Sequence, residues 1–229
     1  MDQSNKRKSI NIVQWNANKL TAFLSEFNVD ILLVSETKLK TSNKCHIKNY
    51  ACYRKDRPTN TASGGVAIFI KKSIQHSLVS INTKSLEAIG IKIPGDVLIV
   101  SCYNHPNTNI HTGDLDYIFK LGNKIIIAGD LNAKHALWHC KRANTSGKIL
   151  YSYMQSNPVD IQFPDAPTRI SNTDTLASTI DIALIKNVAV SKPKVLNQLD
   201  SDHQPVQITI LNKYVEHTVK KVLLYDKTN

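Results

Sequence analysis

Gly129-Asp130-Leu131-Asn132 sets a carboxylate and a carboxamide two positions apart, directly after the β-branched run Ile125-Ile126-Ile127-Ala128. On an extended backbone, residues i and i+2 point the same way. Asp130 and Asn132 can therefore face one small target where a buried strand ends, the usual place for chemistry in an open α/β arrangement. The same design recurs at Asn16 after Ile10–Trp15, Glu36 after Asp30–Ser35, Tyr103 at the end of Val97–Tyr103, Asp181, and Asp202-His203 before Val206–Leu211. Any one of these reads equally well as an Asx turn or a helix cap. Six of them are hard to ascribe to caps. Carboxylates and amides are oxygen ligands for a hard cation, and a histidine beside acids can contact phosphate or move a proton.

The elements that must position these groups are short. Strands are predicted at Ile10–Trp15, Asp30–Ser35, Ala51–Asp56, Val66–Ile70, Ser85–Ile93, Val97–Tyr103, Ile125–Ala128, Val159–Phe163, Val188–Val190 and Val206–Leu211. Helical spacing appears at Leu20–Phe27, Leu115–Leu121 and Gly147–Gln155, whereas Ala133–Ala143 reads as loop and Thr168–Thr179 as an exposed polar hairpin. Pro94-Gly95 turns one hairpin, and Ser63-Gly64-Gly65 opens the strand at Val66. Many short strands with few helices predict a β-rich α/β (α+β) chain with a two-layer core. There is no internal repeat and no second domain. The pattern gives a basic extension over residues 1–9, one domain over 10–211 and a C-terminal tail over 212–229.

The 229 residues suffice to bury a core without disulfides. Cys45, Cys52, Cys102 and Cys140 show no CxxC spacing and suit reduced thiols inside a cell. His135, His139 and Cys140 have a spacing that zinc could use, but no second cluster completes the ligands. No apolar run reaches the length of a membrane span, and Met1–Ser9 lacks the apolar region of a secretory signal. Charge is more telling: Lys+Arg 29 against Asp+Glu 18 gives a net +11, dispersed along the chain. That favours a broad face for a polyanionic partner, nucleic acid or an anionic membrane.

In order, Trp15-Asn16-Ala17-Asn18, Ser35-Glu36-Thr37, Tyr103, Gly129-Asp130-Leu131-Asn132, Ile180-Asp181 and Ser201-Asp202-His203 resemble the exonuclease–endonuclease–phosphatase superfamily, from Ile10 to Leu211. Within it, the chain is similar to the apurinic-endonuclease-like endonuclease domains of non-LTR retrotransposons. That likeness rests on the extended run Gly129–Trp138, on Asn144–Leu150, and on Pro167-Thr168-Arg169 a hairpin's length before Thr179-Ile180-Asp181. The chain departs from the family at His139, where a glycine is usual, and at Pro106, which stands three rather than two residues past Tyr103.

The resemblance implies a DNase I-like two-layer β-sandwich flanked by helices. It implies a Mg²⁺-dependent endonuclease, with Mn²⁺ able to substitute, that nicks double-stranded DNA in the nucleus and leaves a 3′-hydroxyl for target-primed reverse transcription. Glu36 would be the main metal ligand, with Asn16 and Asp202 beside it. His203 would contact the phosphate with Asp181 fixing its tautomer, either Asp130 or His203 would activate water, and Asn132 and Tyr103 would donate to phosphate oxygens. DNA contacts fall to Arg54, Arg57, Lys134, Trp138, Arg142, Thr168, Arg169 and Asn172, the last three on the hairpin that would choose the target. A reverse transcriptase domain is expected in the full-length polyprotein, and the isolated domain is expected to be monomeric. The competing readings are abasic-site repair, an inositol phosphatase or sphingomyelinase on the same scaffold, and a degenerate nucleic-acid-binding module. Abasic repair wants apolar wedges that Thr168–Thr179 lacks, and inositol phosphatases carry a Trp-Cys-Asp-Arg stretch where this chain has Thr179-Ile180-Asp181-Ile182.

Overall fold

A computed structural model of the chain describes residues 8–16, 23–24, 26–59, 61–170, 177–197 and 201–214. In chain order the strands are β1 (Lys8–Trp15), β2 (Ile31–Ser35), β3 (Tyr50–Lys55), β4 (Val66–Lys71), β5 (Ser77–Val79), β6 (Glu87–Ile93), β7 (Val97–Tyr103), β8 (Lys124–Asp130), β9 (Asp160–Gln162), β10 (Asp181–Lys186), β11 (Lys194–Val195) and β12 (Val206–Tyr214). Helix α1 (Thr112–Lys120) precedes β8, and α2 (Thr145–Ser156) follows it. The strands pair into two six-stranded sheets, ordered β11-β12-β1-β2-β4-β3 and β5-β6-β7-β8-β10-β9. Each sheet holds one parallel pair, β1–β2 and β7–β8, among antiparallel neighbours. This is the DNase I-like, apurinic-endonuclease-like architecture.

The apolar runs are continuous because both faces of the central strands are covered. In β8, Ile126 and Ala128 enter the core between the sheets with Ile12, Leu33, Ile68, Ile99 and Ala183. Ile125 and Ile127 point the other way, onto Leu115, Ile118 and Phe119 of α1 and Leu150 of α2. The outer face of the first sheet is closed by Trp15, Phe23, Val29 and Tyr50. Each such aliphatic side chain taken from water stabilises the fold by about 1.5–3 kcal/mol.

Two polar anchors fix the connections. The Asp114 carboxylate, in the first turn of α1, accepts the N–H groups of Lys84, Ser85 and Leu86 and so sets the chain entering β6. Burial pushes its carboxyl up, but these bonds outweigh burial and hold it below the usual range. Asn144 caps α2 by accepting the Gly147 N–H at 2.8 Å.

Several predicted boundaries shift. One end of the ladder between β1 and β12 pairs Lys8 with Tyr214, beyond the apolar pattern of both strands, because backbone pairing needs no apolar side chains. Val188–Val190 is not a strand: Asn187 turns the chain at φ 53, leaving only the bridge Val190↔Ile210. The strand is instead Asp181–Lys186, with Asp181 as its first residue. The short pieces β5 and β11 and the 3-10 turn Ala136–Trp138 carry too little periodicity to predict. Of the helix predicted at Leu20–Phe27, residues 23, 24 and 26 are helical, and residues 17–22 and 25 lie outside the described residues.

Candidate active site

Strand register assembles the site. Tyr103 closes β7 opposite Asp130, which closes β8, and Asp130 stands opposite Asp181, which opens β10. Even steps along each strand reach Ile99, four before Tyr103, Ala128, two before Asp130, and Ala183, two after Asp181, all in the core between the sheets. The three polar side chains therefore lie on the inner face, at one end of the sandwich. From the facing sheet, Asn16 follows β1 and Glu36 follows its parallel neighbour β2, while His203 precedes β12, antiparallel to β1. All six strand ends meet at this one mouth.

The contacts are direct. Asn16 Nδ2 donates to Glu36 Oε2 at 3.0 Å and to Asp130 Oδ2 at 3.2 Å, so two carboxylates from different sheets share one amide. His203 Nδ1 lies 2.9 Å from Asp181 Oδ2, and its Nε2 lies 3.8 Å from Asp130 Oδ2. Asp130, Asp181 and His203 are buried, and among the described residues theirs is the one group of three or more His, Cys, Asp or Glu side chains placed to hold a metal, with ligand atoms within 4.8 Å. Glu36 is the more open acid, its side chain 28% exposed.

A frame of ordinary residues holds these groups. Ser35 Oγ donates to the Cys102 carbonyl across the sheets at 3.1 Å and accepts the Asp130 N–H at 3.1 Å. Ser201 Oγ donates to the Asn16 carbonyl and accepts the His203 N–H, and Trp15 Nε1 donates to the His203 carbonyl at 2.8 Å. Asn132 Nδ2 donates to the Asn104 carbonyl, while Asn144 Nδ2 donates to the Asn132 carbonyl. Sequence reasoning gave Ser35, Ser201, Asn104 and Asn144 no role. Ser35, Ser201 and Asn144 stand inside quoted motifs and Asn104 follows Tyr103, and that is their only signal, because a hydroxyl or amide bonded to backbone leaves no pattern of its own.

Electrostatics follow from the crowding of acids. Burial pushes the Asp130 carboxyl up, Asp181 adds to it, and His203 and the bonds from Asn132 and Asn16 oppose. For His203, burial would lower the imidazole, but the charge and hydrogen bond of Asp181, then Asp130 and Asp202, raise it from 6.5 to about 9. A folded value above the unfolded one means that the stabilisation is complete below pH 6.5 and is lost as pH rises through about 9. In EDTA, His203→Gln protein should thus lose less stability than the parent between pH 6.5 and about 9, measured by urea unfolding. Equal losses in the two proteins would contradict a charged His203.

The remaining predicted residues divide. Trp138, expected at the DNA face, is fully buried, its Nε1 donating to the Ala133 carbonyl; it packs the loop instead. Thr168, also expected there, is fully buried, and its Oγ1 accepts the N–H groups of Ile180 and Asp181, so it holds the start of β10. The Arg54 guanidinium is engaged by the Lys40 and Thr41 carbonyls and by Asp56, and that of Arg57 by Glu87. Arg169 pairs with Asp202 at 3.3 Å, so the Asp202 carboxylate, 54% exposed, is turned to that pair. Arg142 is exposed and Lys134 partly so; Asn172 lies outside the described residues, which retain of the hairpin only its base, Arg169↔Ser178. His135 stacks on Tyr151, and it joins no metal group with His139 and Cys140.

A family described as endonuclease-reverse transcriptase matches residues 97–207, from β7 to the start of β12. The RNA-directed DNA polymerase from mobile element jockey of Drosophila funebris is 29% identical over 198 residues, which are 83% of this chain and 22% of that protein. The probable RNA-directed DNA polymerase from transposon X-element of Drosophila melanogaster is 28% identical over 236 residues, 96% of this chain and 26% of that protein. The chain thus spans 22% to 26% of the length of these relatives. Its fold matches the endonuclease domain of TRAS1, a telomere-specific non-LTR retrotransposon, with a TM-score of 0.72 at 19% identity over 90% of this chain and 100% of that one. It also matches the AP endonuclease LMAP from Leishmania major, with a TM-score of 0.68 at 15% identity over 92% of this chain and 89% of that one. By motif order, sequence likeness and fold, the chain resembles the endonuclease domains of non-LTR retrotransposons, with the fold of the exonuclease–endonuclease–phosphatase superfamily.

Proposed function

We propose that the chain nicks double-stranded DNA by Mg²⁺-dependent phosphodiester hydrolysis and leaves a 3′-hydroxyl that primes reverse transcription at the target in the nucleus, as one part of a polyprotein that also carries a reverse transcriptase. The observation that carries this reading is the convergence of Asn16, Glu36, Asp130, Asp181 and His203 at one mouth of the sandwich. The oxygen donors there suit a hard divalent ion, and no thiolate joins them. Glu36, Asn16 and Asp130 would hold such an ion from one side, with Asp202 reaching it once released from Arg169. When bound, the ion supplies charge neutralisation on the phosphate.

The chain's own residues do the rest. Asp181 accepts from Nδ1–H of His203 and so aims Nε2 into the mouth. With its pKa raised to about 9, His203 is cationic at neutral pH and donates from Nε2 to a phosphate oxygen rather than taking a proton. Asp130, bracketed by Asn16 and the Asn132 N–H, is then the group that accepts a proton from the attacking water. Tyr103 and Asn132 add donors to the charged phosphate. Burial first, then Glu36 and Asp130, push the Tyr103 hydroxyl up, against Arg57, so it stays protonated and able to donate. The bond from phosphorus to the 3′ oxygen breaks, leaving a 5′-phosphate and a 3′-hydroxyl.

The net charge of +11 and the exposed Lys141 and Arg142 beside the site loop suit a duplex backbone. Duplex affinity should accordingly fall steeply as salt rises, through counterion release; a log–log slope near zero would rule out phosphate-dominated binding. The function itself is tested by offering supercoiled plasmid, an abasic duplex and an inositol phosphate, each with Mg²⁺ or with EDTA. Open circles that accumulate with Mg²⁺ alone are expected. Faster turnover of the abasic duplex, or release of phosphate from the inositol phosphate, would move the chain to one of its superfamily relatives' activities.

A further inference from the structure

Glu87 extends the line of site residues by one strand. It opens β6 opposite Tyr103, so Glu87, Tyr103, Asp130 and Asp181 run across four neighbouring strands at one level. The chemistry described above leaves Glu87 idle, yet both of its oxygens are engaged. Oε1 accepts from Arg57 Nε at 2.5 Å, and Oε2 accepts from the Gly65 N–H at 2.5 Å. The Arg57 guanidinium in turn stands 5.9 Å from the centre of the Tyr103 ring, within reach of a cation–π contact. It also lies flat on Gly64, where a Cβ would come within 2.4 Å of its Cζ.

The two glycines connect this pair to Glu36. Gly64 and Gly65 have φ of 58° and 85°, and their carbonyls hold the turn after β2. The Gly65 carbonyl accepts the Thr37 N–H at 3.1 Å, and that of Gly64 accepts the Lys38 N–H at 2.8 Å. Glu36 and Lys38 themselves sit at φ of 56° and 53°. Such backbone costs non-glycine residues on the order of 1–3 kcal/mol each and persists only where its surroundings fix it.

We propose that Arg57 and Glu87 are positioning residues for cleavage: the pair pins Gly64-Gly65, which fixes the strained turn presenting Glu36, and it holds the Tyr103 ring beside Asp130. Arg57 is then no contact to a DNA phosphate, although a basic residue in a loop near the mouth invites that assignment. The proposal rests on the nicking function above and names which residues set its geometry.

Arg57→Ala, Glu87→Ala, the double variant and Glu87→Gln separate the possibilities. Misplacing Tyr103 and Glu36 should lower kcat for plasmid nicking by about tenfold to a hundredfold in each single alanine variant. KM, duplex affinity and its salt slope should stay at parent values. The double variant should be no slower than the slower single, since both break one unit. Mn²⁺ binding to protein without DNA, read by electron paramagnetic resonance, should weaken in Glu87→Ala and less in Glu87→Gln, which keeps the shape and an acceptor for Gly65. Loss of about one unit of salt slope with kcat intact in Arg57→Ala would make Arg57 a phosphate contact and overturn the proposal. Multiplying losses in the double variant, or losses that vanish when activity is divided by the folded fraction, would overturn it equally. If the parent protein binds Mn²⁺ but nicks nothing, the nicking function fails by itself, and the Mn²⁺ series still decides whether the pair braces Glu36.

Discussion

His203→Ala protein is expected to fold and to nick plasmid about 10²- to 10³-fold more slowly than the parent, the usual cost of removing a preorganised donor to the charge that develops in the transition state. The side chain makes one hydrogen bond, to Asp181, and its backbone is held independently by Trp15 and Ser201, so the strand ends should stay in place. What goes is the cation facing the phosphate. Asp130→Ala and Glu36→Ala should fall in the same range, since each removes a carboxylate bonded to Asn16. Ser201→Ala should cost less, because Trp15 still holds the His203 carbonyl. A folded His203→Ala protein that nicks near the parent rate would remove His203 from the chemistry. Circular dichroism and single-turnover nicking on the same preparation make the comparison.

Gly129→Ala should have the largest effect on stability. Gly129 pairs with Cys102 between the parallel strands β7 and β8, and an added Cβ would lie 1.7 Å from the Cys102 carbonyl oxygen and 2.9 Å from Ser35 Oγ. Neither partner can yield. The carbonyl already accepts the Ser35 hydroxyl, and the same hydroxyl accepts the N–H of Asp130. Forced overpacking of backbone on backbone should cost roughly 3 kcal/mol or more. For a chain of this size that is a fall in melting temperature of about 6–12 °C or beyond. A melting temperature within a degree of the parent's would mean that β7 and β8 can separate locally at low cost, and the register that aligns Tyr103 with Asp130 would not be rigid.

Much of this arrangement was legible because it is carried by short-range pattern. Ile125–Asp130 announces a strand buried on both faces and its polar end, and the same pattern at Asn16, Glu36 and Tyr103 marks the other ends. That two sheets bring those ends together follows from strand order, which periodicity cannot give; motif order supplied it. The misses are of another kind. Trp138 and Thr168 stand in polar stretches yet are fully buried, since each satisfies backbone groups of a folded loop. Arg54, in a predicted strand, and Arg57, in the loop after it, count as free cations in the sequence, but their partners Asp56 and Glu87 sit on the chain as unremarkable acids. Asp181 reads as preceding a strand because a carboxylate on a core face is improbable anywhere except at a site. Pairing partners far apart in sequence, such as Trp15 and His203, have no local signature at all.

The central claim is that this mouth hydrolyses DNA so as to leave a primer. It is tested most directly at the nick itself. Plasmid nicked by the parent protein is given to a DNA polymerase with labelled nucleotides, with and without prior treatment by a 3′-phosphatase. The site predicts full extension without the phosphatase and nicks at least about 10²-fold rarer from Asp130→Ala protein. Nicks that extend only after phosphatase treatment, or that Asp130→Ala protein makes as fast as the parent, would contradict it.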